Sequence, residues 1–443
     1  MFELVPFLRT HEYVATYLGL LYILALSFLV FGKGHQGLFN SLFCFGFLLM
    51  GWTVIPSVVA SDNYWFLTSP PSFVSRFALI SIFSFALIDL IKSKLFPSRE
   101  FFLGALSIIV VLLLTFFYGL LYVNDFDIHI WMAFTLILGV SALMFLYLTL
   151  MFSGLDWQEV MGPSVIIILL IISIVVGFIE MANNPFIFNM FRGFSEARSA
   201  SFFHNPNWFA VYISPLLFYS AYLAVLDLDK YAAAKSFLIV ALVTLGLILS
   251  GSRSVTTIAS IFVFLMLVVS FLLDYLKIAQ RLLLVFLLGG SGGVALGYFF
   301  SVLFGAVVLQ RYSLLIDRIF LWPLYYFNDF SAQQSLQGRL VVDSDQVTDS
   351  AYIFALQGNP LLFIVLLGIV FFAVFRLILS IYVRAHFSSI VGNFLLVYLM
   401  AIGAVGQVFW AFPVWISFSV FFAFGILLSK NNSLSDSTSS SRL

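Results

Sequence analysis

The sequence predicts an all-α fold: a polytopic integral membrane helix bundle of about 12–14 transmembrane helices with one large external loop. Three observations predict it. The chain of 443 residues is 63% hydrophobic and 9% charged, against about a quarter charged in a soluble domain, so most of it must face lipid or another span. Apolar runs of about 20 residues, long enough to cross a bilayer, recur along the chain with short connectors between them. One stretch breaks that rhythm, because from Gln310 to Asn359 the chain turns polar. The zero formal net charge argues against nucleic acid as a partner. The single cysteine, Cys44, lies in an apolar run, which excludes a disulfide framework and a cysteine metal site.

Taken in order, spans are expected near residues 14–31, 37–60, 73–91, 101–123, 131–152, 163–182 and 206–226. The apolar run 236–273 is too long for one straight crossing. It is broken at Ser250-Gly251-Ser252-Arg253-Ser254, so it reads as two spans meeting at that turn, the first short. A connector at 274–281 follows, then spans near 282–306, 360–382, 391–409 and 413–429. The domain plan is therefore a bundle over 1–309 with arginine-bearing connectors, a large external loop over 310–359, C-terminal spans over 360–430, and a Ser-rich, disordered cytoplasmic tail over 431–443. No cleavable signal peptide is expected, since Met1–Glu12 contains Glu3, Arg9, His11 and Glu12 and lacks a clean basic region.

Basic residues set the orientation. Alternating the spans places all seven lysines, Lys33, Lys92, Lys94, Lys230, Lys235, Lys277 and Lys430, on one face with Arg99, Arg281 and Arg384. That face reads as the cytoplasm. The opposite face has no lysine but carries Arg192, Arg198, Arg253, Arg311, Arg318 and Arg339. These arginines run against the positive-inside tendency and ask for a reason. A guanidinium suits bidentate recognition of phosphate or carboxylate and stays charged in a partly dry site.

Arg253 sits among small residues at the end of an apolar span, and the next span's N-terminus adds positive dipole. It reads either as part of an oxyanion or phosphate cradle or as an interfacial arginine capping a hairpin. In Arg198-Ser199-Ala200-Ser201-Phe202-Phe203-His204-Asn205-Pro206-Asn207, the Asn205-Pro206 pair starts a helix with Asn207 in its first turn. His204 is a general base or, more ordinarily, a structural histidine. Asp349 closes the polar loop, as a helix N-cap or as a carboxylate able to take a proton from an attacking hydroxyl. The loop also keeps Trp322, Tyr325, Tyr326, Phe327, Phe330 and Tyr352, aromatics rarely held by a solvated linker, and reads as a folded cap over one mouth of the bundle. Three D-x-D pairs, Asp125/Asp127, Asp227/Asp229 and Asp343/Asp345, are weak metal signals in a chain whose acids crowd into connectors. Glu180, near the external end of its span, is a costly carboxylate at membrane depth. There is no P-loop, dinucleotide fingerprint, H-E-x-x-H or G-x-S-x-G.

The order of these parts resembles the bacterial O-antigen polymerase and O-antigen ligase superfamily. The resemblance runs from about Glu196 to Gly368: an external arginine before an NPN stretch opening a span, a span ending in SGSRS, and a long external loop ending in DSAYIFALQGNPLLFIVLLG. It implies that Arg198 and Arg253 hold the pyrophosphate of an undecaprenyl-pyrophosphate-linked oligosaccharide. It further implies transfer of the growing glycan to a hydroxyl of another lipid-linked repeat unit at the periplasmic face of the inner membrane, with no cofactor and no metal. Ligases of the superfamily typically place a histidine where the large loop returns to the membrane; this chain has Asp349 followed by Ser350, which favours the polymerase branch and makes Asp349 the acceptor-activating candidate. Asn207, Arg311, Arg318, Arg339 and Tyr352 are the further substrate-binding candidates. A chain-length regulator and a flippase of the same pathway are the implied protein partners. The alternatives are a ligase acting on lipid A–core, a transporter of lipid-linked sugars, and a metal-dependent glycosyltransferase using Asp125/Asp127.

Overall fold

The computed structural model describes residues 110, 163–183, 199, 201, 206–226, 230–273, 275–303, 352, 360–403 and, in part, 421–428. Among them the chain is all-helical and contains no strand. The helices are α1 (Pro163–Asn183), α2 (Pro206–Ile213), α3 (Leu216–Leu226), α4 (Lys230–Ser250), α5 (Arg253–Leu272), α6 (Leu276–Leu303), α7 (Pro360–Tyr382) and α8 (Phe387–Ile402). Among the described residues, five segments are long and apolar enough to cross a membrane: Pro206–Val225, Ala232–Ser250, Arg253–Leu272, Leu276–Phe299 and Phe363–Tyr382. The protein is a multi-pass helical membrane protein. The spans expected before residue 163, the polar loop apart from Tyr352, and the tail lie outside the described residues.

Three helices open on proline, Pro163, Pro206 and Pro360. The first helical position suits proline because its N–H would have no intrahelical partner there. The expected span over 206–226 is present as Pro206–Val225 but is built from two helices, and Pro215 is the reason. A proline inside a helix removes a backbone bond and crowds the preceding turn; here the carbonyl left without its N–H is that of Val211. The Ser214 hydroxyl donates to that oxygen at 3.3 Å, so the chain turns at Ser214–Pro215 and resumes with Phe218 N–H bonded to the Pro215 carbonyl at 3.1 Å. In a hydrocarbon setting such a substitute partner is what makes the break tolerable.

Among the described spans this broken segment is the most enclosed. Every residue from Trp208 to Tyr222 is buried. Phe209 and Ile213 pack beside Gly246 of α4, and the Ser236 hydroxyl donates to the Ser220 carbonyl at 2.6 Å, so α2–α3 runs antiparallel to α4. On its other sides Phe218 meets Tyr398 of α8 at 4.8 Å between ring centroids, while Tyr219 and Tyr222 both meet Phe424.

Lipid tails are as apolar as leucine, so burial gives little drive for helices to associate within a bilayer; close packing must supply it. The α4–α6 contact shows how. Gly289, Gly293 and Gly297 repeat every fourth residue on α6, and a Cβ at these positions would lie 2.8 Å from Val240 Cβ, 2.6 Å from the Ala241 carbonyl oxygen and 2.9 Å from Ile248 Cδ1 respectively. Residue numbers rise together on both helices, so the pair is parallel. The outward faces of α5, α6 and α7 expose Phe264, Leu287, Phe371, Phe372 and Phe375, a surface suited to hydrocarbon.

Two corners meet at the end that bears the lysines. The Tyr275 hydroxyl donates to the Ala385 carbonyl at 3.0 Å, and its ring meets Phe387 edge-on at 5.7 Å. Arg384 takes the left-handed conformation usually left to glycine, φ 50°; Arg384 N–H bonds to the Ile381 carbonyl and Ala385 N–H to that of Ser380, closing α7 in a Schellman turn. Lys235, Lys277, Arg281 and Arg384 are all exposed at this end. α6 starts at Leu276, six residues ahead of the expected span, because its first turns are amphipathic: Ala279 is buried while Lys277, Gln280 and Arg281 are exposed. Likewise α8 starts at Phe387 rather than near 391.

Candidate functional site

The opposite end of the bundle carries Arg253. α4 ends there in a tight αL cap. Gly251 has φ 58°, a conformation that costs glycine nothing, and its N–H reaches the carbonyls of Leu247 at 3.2 Å and Ile248 at 3.0 Å. The Ser250 hydroxyl donates to the Leu247 carbonyl at 2.7 Å and accepts from Ser252 N–H at 3.2 Å. The turn is thus held by its own serines, and α5 starts immediately afterwards at Arg253.

That start is electrostatically unusual. The first turn of a helix presents free N–H groups and about half a positive charge, which an acidic residue or a capping oxygen normally offsets. Ser252 makes no side-chain capping bond to α5, and the first turn contains no acid. It begins instead with a half-buried arginine. Positive charge therefore stands on positive dipole. The N-terminus of α2 opens at the same level, since its Phe209 packs beside Gly246 one turn short of the α4 end; its first turn also has no acid and places Asn207 half-buried. Two positive helix ends, a guanidinium and an amide thus converge at one end of the bundle.

A third strand of chain reaches the same place. The Ser199 N–H donates to the Leu249 carbonyl at 3.0 Å, satisfying one of the carbonyls that the end of α4 leaves over. The Ser201 hydroxyl donates to the Ser173 carbonyl of α1 at 2.7 Å, and Ser201 N–H donates to Ser199 Oγ at 3.2 Å. Ser201 adopts φ 52°, which a non-glycine residue holds only at a cost. The Ser199 peptide nitrogen is thus fixed at Leu249, which lies four residues before Arg253. Arg198 itself lies outside the described residues.

Tyr352 is the described member of the polar loop. Its ring packs against the hydrophobic core, and its hydroxyl donates to the Met400 carbonyl at 2.7 Å. Burial pushes its phenol pKa well above the ordinary value, which keeps it a donor. Tyr398, two residues from Met400, meets Phe262 of α5 at 5.6 Å. With a rise of 1.5 Å per residue, this puts the Met400 carbonyl roughly 10 Å deeper in the bundle than Arg253.

Asp349, Arg311, Arg318, Arg339, His204 and the three D-x-D pairs lie outside the described residues, as does the side chain of Glu180. Among the described residues no cluster of three or more histidine, cysteine, aspartate or glutamate side chains forms a metal site. The sequence reading passed over Ser199, Ser201 and Gly177 as parts of the site. Their only sequence signal is small residues beside an unusual arginine. Compared with protein-family models, curated proteins and solved structures, the chain matches none.

Proposed function

We propose that this protein is a membrane glycosyltransferase that polymerises undecaprenyl-pyrophosphate-linked oligosaccharides into O-antigen or a related surface polysaccharide. The observation that supports this reading is that Arg253, on a helix N-terminus with no side-chain cap and no acid in its first turn, meets the acid-free start of α2 and the backbone of Ser199 at the end away from the lysines. Such an arrangement suits an anion of high charge, and a pyrophosphate carried on a lipid reaches it from within the bilayer. In this reading the lysine end is cytoplasmic and the arginine end is periplasmic, in the bacterial inner membrane.

The chemistry follows from charge. As the bond between the anomeric carbon and its phosphate oxygen breaks, the electron pair passes to the pyrophosphate, and Arg253 and Arg198 stabilise the charge that develops there. The acceptor hydroxyl oxygen forms the new bond to the anomeric carbon, and its proton passes to the Asp349 carboxylate. Asn207 contributes an amide at the mouth of α2. Tyr352, three residues after Asp349, is itself fixed by its bond to the Met400 carbonyl. Arg311, Arg318, Arg339 and the loop aromatics hold the sugars.

The test is the surface-glycan ladder of cells lacking the gene, complemented with wild type or with Arg198→Ala, Arg253→Ala, Arg253→Lys or Asp349→Ala at matched protein levels. The expected result is core bearing a single repeat unit in the deletion, rescue by wild type, and no rescue by the alanine variants. Arg253→Lys keeps the charge but loses the planar fork, so it should restore a short, faint ladder. Polymer left on its lipid carrier would instead identify a ligase. An unchanged ladder would overturn both readings and favour a transporter.

A further inference from the structure

We infer that the exposed face of α6 holds an anionic phospholipid of the leaflet at the lysine end, with Lys277 and Arg281 on its phosphate. This rests on the membrane setting alone and not on the glycan reaction. The site is defined by register. Lys277 and Arg281 lie four residues apart and so stand one above the other on the helix. Leu284, Leu288, Ser291 and Ala295 continue the same stripe at helical spacing, and all six residues are exposed. The stripe that packs on α4, through Gly289, Gly293 and Gly297, is a different one.

Depth and charge together select the occupant. Leu284 to Ala295 covers about 16 Å at a rise of 1.5 Å per residue, and half of a hydrocarbon core of about 30 Å is about 15 Å. The apolar stripe therefore matches one leaflet, with the two cations at its head. Ser291 turns no unpaired hydrogen to the hydrocarbon, because its hydroxyl donates to the Leu288 carbonyl at 3.0 Å. Phe237 of α4 walls one side, its ring edge 3.8 Å from where a Cβ on Gly292 would lie, and an acyl chain can run over the small side chains beside it. The first turn of α6 holds Lys277 and no acid, so the positive end of the helix dipole adds to the field there. Tyr275 ties this corner to the Ala385 carbonyl at 3.0 Å and so brings in exposed Arg384. A guanidinium can meet two phosphate oxygens at once. A zwitterionic headgroup brings its own ammonium and gains little from this corner, whereas a headgroup with only its phosphate charge is drawn to it.

The experiment is titration of the purified full-length protein, in a neutral detergent, with phosphatidylglycerol or with phosphatidylethanolamine of the same acyl chains. Bound lipid is read as adducts by native mass spectrometry. The variants are Lys277→Ala, Arg281→Ala, the Lys277→Ala/Arg281→Ala double variant and the charge-keeping exchange Lys277→Arg/Arg281→Lys. Lys235→Ala is the control, since Lys235 is exposed at the same end of the neighbouring α4 but lies off the stripe.

One basic residue beside an anionic headgroup contributes about fivefold in affinity. Wild type should therefore prefer phosphatidylglycerol by about tenfold or more, and each single alanine variant should lose about fivefold of its affinity for it. The double variant should bind the two lipids alike, while the exchange variant and Lys235→Ala keep the wild-type preference. Soluble glycerol phosphate, which carries the headgroup charge without chains, should not displace the lipid. Wild type that binds both lipids equally, or a double variant that keeps the preference, would overturn the site. An equal loss in Lys235→Ala would overturn it too, by reducing the effect to the net charge of that end. Displacement by glycerol phosphate would do the same, by removing the acyl stripe from recognition. Should the double variant fail to fold, the single variants carry the test, and a wild-type preference in both would sink the proposal.

Discussion

Substituting Gly293 by alanine should separate α4 from α6, and Gly290 provides a matched control on the same helix. At Gly293 the new Cβ would lie 2.6 Å from the Ala241 carbonyl oxygen and 2.6 Å from Thr244 Cβ, whereas at Gly290 nothing lies within 4 Å. Ordinary contact begins near 3.4 Å, so α6 must withdraw by about 0.8 Å. Neither obstacle is the free end of a flexible side chain, so little of that movement can be absorbed locally. Overpacking of this kind costs about 1–3 kcal/mol. The gain in helix propensity from glycine to alanine, up to about 1 kcal/mol, is common to both variants and cancels in their difference. Gly293→Ala should therefore unfold about 1–3 kcal/mol more easily than Gly290→Ala, with Gly289 and Gly297 sharing the loss as the helices pivot apart. Reversible unfolding in mixed micelles measures this, with the fluorescence of buried Trp208 among its reporters. If the two variants unfold within about 0.5 kcal/mol of each other, the close approach of α4 and α6 is not what holds this pair.

Two further predictions concern single hydrogen bonds. Ser214→Ala removes the hydroxyl bonded to the Val211 carbonyl beside Pro215 and should cost about 1–3 kcal/mol, the usual penalty for stranding a buried acceptor; a melting temperature equal to wild type would show that the carbonyl has another partner. Tyr352→Phe removes the donor to Met400, but that carbonyl also accepts from Gly403 N–H at 3.1 Å. Its cost should stay near 0.5–1.5 kcal/mol in the same melting assay, and a loss above about 3 kcal/mol would mean that the tyrosine anchors far more than one bond.

Helix starts were the most legible part of the fold. Pro206 marks one in the sequence and in the structure, the spans expected from 163 and 360 begin where α1 and α7 do, and the SGSRS interruption marks the α4–α5 turn. Proline misled only at Pro215, where an apolar run concealed a break that Ser214 makes tolerable. Apolar length also placed the starts of α6 and α8 too late; in α6 helix continues into the polar interface where hydropathy falls away. The glycine repeat from Gly289 to Gly297 was passed over in the sequence, and its role emerged only with its partner helix in place. Of the site, Arg253 was legible from its odd company. The Ser199–Leu249 bond was not, since it joins backbone atoms fifty residues apart and leaves no pattern in either segment.

The enclosure of Trp208–Tyr222 has a consequence for biogenesis. Its tyrosines and serines are sheltered by Tyr398 and Phe424, which leave the ribosome about 180–205 residues after it. At about 5–20 residues per second, the segment waits on the order of 10–40 s for its final neighbours. During that interval it must sit beside a translocon or an insertion chaperone, or expose polar groups to lipid. Truncation after α7 should then leave a protein that inserts but is recognised and degraded, which makes the last helices a checkpoint for release into the membrane.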